Sequence, residues 1–85
     1  MLKVQVLGSG CANCHKVEAL CKQAISQLSV EGQVEMVTDM KEIMRLGVMS
    51  TPGIVVNGQV VSTGRVPALS QITTMLTTAL ARETS

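Results

Sequence analysis

The chain has 85 residues, 46% of them hydrophobic and 15% charged, which is the composition of one small compact domain over residues 1–85 and not of a disordered tail. Seven Lys and Arg against six Asp and Glu leave a net charge of +1. These basic residues are scattered, and there is no aromatic side chain on which a base could stack, so no nucleic-acid partner is expected.

No apolar run approaches the roughly 20 residues that span a bilayer, so no membrane partner is expected either. The opening Met-Leu-Lys-Val-Gln-Val alternates at once and lacks the basic-then-apolar build of a signal peptide, so a cytoplasmic location is expected. With no Phe, Tyr or Trp, the core has to be built from Val, Leu, Ile, Met and Ala, and the methionines are expected to fill its gaps.

Leu2, Val4 and Val6 alternate with Lys3 and Gln5, which predicts a strand, and Gly8-Ser9-Gly10 ends it. From about Ala12 to Leu28 the apolar residues Cys14, Val17, Leu20, Cys21, Ala24, Ile25 and Leu28 recur at helical spacing. Gly32 is read as a turn, and Val34-Glu35-Met36 as a short second strand. Asp39 and Glu42 have the spacing of a capping box, Met40, Ile43 and Met44 form the apolar face of a short helix, and Gly47 suits its exit. After Ser50-Thr51-Pro52-Gly53, Ile54 to Val56 and Gln59 to Ser62 flank Asn57-Gly58, a strong hairpin signal because both turn residues tolerate positive φ. Thr63-Gly64-Arg65 turns the chain. Pro67 fits the first position of a last helix carrying Leu69, Ile72, Met75, Leu76 and Leu80, and the tail from Arg82 is expected to fray.

The predicted order is β-α-β-α-β-β-α. Helices alternating with the first strands imply a parallel pair, and the hairpin adds antiparallel ones. The expected fold is α/β, with a mixed four-stranded sheet flanked by helices.

Cys11-Ala12-Asn13-Cys14-His15 lies where the first strand gives way to the first helix. A cysteine at a helix N-terminus is held closer to its thiolate form by free amides and the helix dipole, and the thiolate is the form that attacks a disulfide. Cys11 would be exposed and attack; Cys14, at the start of the buried stripe, would be shielded and resolve. Gly8 and Gly10 would let a partner backbone approach closely. Two thiolates also suit a soft metal ion such as Cu(I), and the string ending at His15 matches a c-type haem attachment motif. Cys21, seven residues after Cys14, reads as a buried filler or a third thiol of the site. Arg65 and Lys16 read either as charges near the site or as solvated surface residues.

The chain resembles the thioredoxin-like superfamily, and within it a group of very small redox-active disulfide proteins. The resemblance is carried by the opening strand, G-x-G-C-A-N-C, the second strand and helix, T-P-G, the Asn-Gly hairpin and the final helix. It implies a thioredoxin-like fold and a thiol–disulfide oxidoreductase without a cofactor. It implies Cys11 and Cys14 as the catalytic dithiol, and a cis proline at Pro52. With Gly10, Thr51 and Pro52 would receive an extended substrate. The implied partners are a protein disulfide or dithiol and a reductase, with the chain acting as a monomer. The segment from Thr51 to Gly58 is also similar to glutaredoxins, although Thr63-Gly64-Arg65 stands where those hold glutathione with Gly-Gly and an acidic residue. No Trp precedes Cys11, and no acidic residue lies on the first strand. The alternative likeness is to small heavy-metal-binding domains, with Cys11 and Cys14 as ligands. That family runs β-α-β-β-α-β and ends on a strand.

Overall fold

A computed structural model of the chain describes residues 2–8 and 12–83. Within them the order is β1 (Leu2–Leu7), α1 (Ala12–Leu28), β2 (Gly32–Val37), α2 (Met40–Arg45), β3 (Gly53–Val56), β4 (Gln59–Thr63) and α3 (Leu69–Glu83). This is the expected β-α-β-α-β-β-α sequence, and it ends on a helix. The sheet order is β2-β1-β3-β4. β1 pairs parallel with β2 across the α1 crossover, antiparallel with β3, and β3 antiparallel with β4.

The alternation of β1 sorts the core into two parts. Leu2, Val4 and Val6 point to one face, where Ile54 and Val56 of β3 join them under α1 and α3. From the helices come Val17, Cys21, Ala24, Ile72 and Leu76, all buried. Leu7 and Val55 point to the other face and meet Ile43 and Val48. The short α2 covers only that end of the second face, which is why Lys3 and Glu35 further along it stay exposed.

Several local readings change in the structure. Asp39 caps α2 by accepting from the Lys41 amide, while Glu42 turns away to Arg45, so only half of a capping box forms. Met40 and Met44 are exposed, because the buried side of α2 is centred on Ile43 and Leu46, three residues apart. Gly32 is the first residue of β2, where its bare Cα lies against Ile25 and Leu2. The turn is made at Ser29, with φ 54°. Pro67 is buried just before α3 and is not its first residue. Ala68 caps the helix from just before it, its carbonyl accepting from the Ile72 amide, and the Gln71 side chain reaches back to accept from the Ala68 amide. Arg82 lies within α3 and donates to Gln59, so the helix is ordered beyond the expected fraying point.

The expected Gly47 exit does form. Gly47 has φ +81°, its amide donates to Met44 O, and the Val48 amide donates to Ile43 O. This is the paired-bond ending of a Schellman motif, and the buried Ile43 and Val48 supply its apolar contact. The Asn-Gly turn has positive φ at both Asn57 and Gly58, and Asn57 also fastens the hairpin to β1, donating to Lys3 O and accepting from Lys3 N, each at 2.9 Å.

Cys21 is the buried filler of the α1 stripe. Burial, and to a lesser degree the Glu18 carboxylate, push its thiol from the ordinary 9.0 up to about 11. Between those values the unfolded chain releases the Cys21 proton and the folded chain keeps it. Its contribution to stability is therefore full below 9.0 and lost as pH rises toward 11. Denaturant unfolding across that window is expected to show falling stability. C21A is expected to flatten the fall while costing about 1 kcal/mol at neutral pH. An equally steep fall in C21A would assign the titration to another group.

Candidate active site

The ends of three elements meet at one end of the sheet. The β1–β3 register sets Leu7 opposite Gly53, and the β3–β4 register sets Gly53 opposite Thr63. The residues just beyond that row are therefore neighbours: Gly8 after β1, Thr51 and Pro52 before β3, and Gly64 after β4. The Gly64 amide donates to Pro52 O at 2.9 Å. A Cβ on Gly64 would lie 3.1 Å from Ser50 Cβ, so the segment leading to Pro52 rests directly on the turn after β4. The Thr51–Pro52 peptide bond is cis; Thr51 is exposed and Pro52 buried.

Cys14 enters this corner from α1. It is the third residue of the helix and has no exposed surface. Its sulfur fills the space where a Gly8 side chain would be: a Cβ built there would overlap Cys14 Sγ and lie 3.8 Å from Thr51 Cβ. The bare Cα of Gly8 thus serves the chain's own cysteine and not an incoming backbone, which corrects the sequence-based expectation for that glycine. Gly8 is held in place by its amide, which donates to Val37 O at 2.9 Å. Gly10 and Cys11 lie outside the described residues.

The electrostatic setting is simple. The first turn of α1 holds no acidic residue to offset the partial positive charge of the helix N-terminus. His15 is a surface residue of that turn, with Nδ1 3.9 Å from Glu18 Oε1 and a side chain 64% exposed. Lys16 and Arg65 are likewise exposed. Cys21, one full heptad further along α1, sits in the core under β1 and away from the corner at Gly8. No cluster of three His, Cys, Asp or Glu able to hold a metal ion occurs among the described residues.

Sequence reasoning missed Ser50, which packs against Gly64 beside the site. Its one local signal is position, immediately before Thr51-Pro52.

The family model for the thioredoxin domain matches residues 2–77. A thioredoxin of Methanothermobacter thermautotrophicus is 33% identical over 76 residues, covering 89% of this chain and 99% of that protein. A thioredoxin of Methanocaldococcus jannaschii is 29% identical over 72 residues, covering 85% of this chain and 83% of that protein. No helix among the described residues is long and apolar enough to cross a membrane. With a mixed four-stranded sheet flanked by helices and a cysteine seated at the α1 N-terminus, the chain belongs to the thioredoxin domain family and is a thiol–disulfide oxidoreductase.

Proposed function

We propose that Cys11 and Cys14 are the dithiol that this chain exchanges with protein disulfides. The observation that carries the reading is the seat of Cys14. Its sulfur is packed against Gly8, beside Thr51, at a helix N-terminus without acidic neighbours in its first turn. A shielded sulfur there suits the second, resolving step. Residue 11 immediately precedes the helix, a position whose free amides favour a thiolate, and takes the attacking role.

In the reducing direction, the Cys11 thiolate attacks one sulfur of the target disulfide. A Cys11–target bond forms, the target S–S bond breaks, and the second target sulfur leaves as a thiolate. The Cys14 thiolate then attacks Cys11 Sγ. That forms the Cys11–Cys14 disulfide and releases the first target sulfur as a thiolate, which is protonated from solvent, as is the second. Two electrons pass from the dithiol to the target, and a dithiol reductase restores the pair.

Thr51 and Pro52 form the lip on which an extended target segment lies, with backbone hydrogen bonds as in strand addition, and the family resemblance adds Gly10 to this substrate-binding set. The exposure of Thr51 beside a buried Pro52 held by Gly64 supports this role. No cofactor enters the scheme. The chain works as one domain over residues 1–85, as a monomer, in the cytoplasm, where dithiols are kept reduced. The element order favours this over the metal-binding alternative, whose β-α-β-β-α-β order has no helix where α2 separates β2 from β3.

C11S is expected to abolish turnover of a small disulfide, and C14S to accumulate a mixed disulfide through Cys11, read by mass spectrometry under denaturing quench. Full activity in both variants would refute the dithiol mechanism. G8A is expected to push the Cys14 sulfur out of its seat, destabilising the fold by about 1–3 kcal/mol and slowing release of the mixed disulfide more than its formation. A G8A chain with unchanged stability and release rate would show that the seat does not matter.

A further inference from the structure

One apolar surface beside the site is uncovered. Met40, Met44, Gly47, Val48 and Met49 line a groove of about 450 Å³. Met40 is 57% exposed, Met44 71% and Met49 97%, so half of the chain's six methionines stand in solvent around one depression. A single exposed methionine is ordinary. Three converging on a groove whose lining carries no charge mark an interaction surface. The groove has a firm floor, since Val48 is buried against Ile43 by the Schellman ending of α2. Its walls are pliable, because the unbranched thioether side chain adapts to different apolar partners.

The last lining residue of the groove, Met49, stands two residues before Thr51 in the chain. From Met49 the chain passes through Ser50 to Thr51, a step of at most about 7 Å. Disulfide exchange brings a polypeptide to this corner. On an extended strand, the side chain two positions from the reacting cysteine lies about 7 Å along and on the same face. For a target lying on Thr51 and Pro52, one of the two side chains two positions from the reacting cysteine is thus within reach of Met49.

We propose that the Met40–Met44–Met49 groove selects target disulfides by accepting an aliphatic or thioether side chain two positions from the target's reacting cysteine. This selection rests on the exchange function and adds specificity to it. A charged or strongly polar side chain there would lose its hydration against an uncharged lining and be disfavoured.

The test uses the full chain, a small aromatic disulfide, and two peptides whose single cysteine carries the same aromatic thiol. One peptide has Leu two positions to either side of the cysteine, the other Ser. The wild-type chain is expected to favour the Leu peptide in kcat/KM by about tenfold, equivalent to about 1.4 kcal/mol. The triple variant M40Q/M44Q/M49Q is expected to lose that preference, and M40L/M44L/M49L to retain it. Unchanged turnover of the small disulfide in both variants shows that fold and dithiol are intact. If the wild-type chain reduces the small disulfide but shows no preference, or the Gln variant keeps it, the groove inference is overturned and the exchange function stands. If the wild-type chain reduces none of the three substrates, both are overturned.

Discussion

The pairing of β1 with β3 is the constraint on which the site depends. Leu7 opposite Gly53 brings Gly8 alongside the segment before β3, and Gly53 opposite Thr63 brings the turn at Gly64 under the same segment. A slip of one residue would turn Leu2, Val4 and Val6 away from α1 and α3 and expose them, so the alignment is set by the core itself. The geometry around Cys14 is thus a by-product of burying three aliphatic side chains on one face of a central strand. The Asn57 bonds to Lys3 pin the far end of the same pairing, so β1 and β3 are tied at both ends.

A core without aromatic rings has a consequence at this corner. Small and medium side chains pack closely only where backbones approach closely, and Gly8 gives that approach to Cys14. The sulfur then does two things at once. It fills core space at the top of α1, and it lies beside the exposed Thr51, the residue proposed to receive a partner. Cys21, on the same stripe, has only the first of these roles. Its raised pKa follows from burial first and from the nearby Glu18 carboxylate second. Two cysteines seven residues apart on one helix are thus differently placed, Cys14 in the first turn and Cys21 in the core under β1.

Most of the architecture was legible because period and punctuation agree. The alternation of Leu2, Val4 and Val6, the stripe from Cys14 to Leu28, and Asn57-Gly58 each have one reading, and each appears in the structure. The failures are at α2 and at close contacts. In a helix of six residues the apolar pattern is too short to fix its own orientation, and Met40 and Met44 around Ile43 point to the wrong face. Tertiary burial of Ile43 and Leu46 decides it instead. Gly32 and Gly8 were read through what glycine permits the backbone to do, when what matters at both is a neighbouring side chain in the space of the missing Cβ. Such contacts join residues far apart in the chain, and no local spacing encodes them. The same holds for the nearness of Thr51 to Cys14, which the family resemblance supplied and no local pattern could.

In the exchange and selection proposed above, chemistry and recognition fall on different parts of the fold, and the reason is mechanical. The covalent step requires a sulfur held still, and Cys14 is held by β1, α1 and the loop before β3 together. Recognition of varied targets requires a surface that can change shape without disturbing that sulfur. The exposed methionines stand on α2 and its exit, outside both clusters of buried residues, with Ile43, Leu46 and Val48 anchoring that segment beneath. A methionine rotamer can change there at little cost to the core, whereas a change at Gly8 is transmitted straight to the reactive corner. The short α2, which leaves much of the second sheet face uncovered, sets an adaptable apolar wall about two residues from a rigid one.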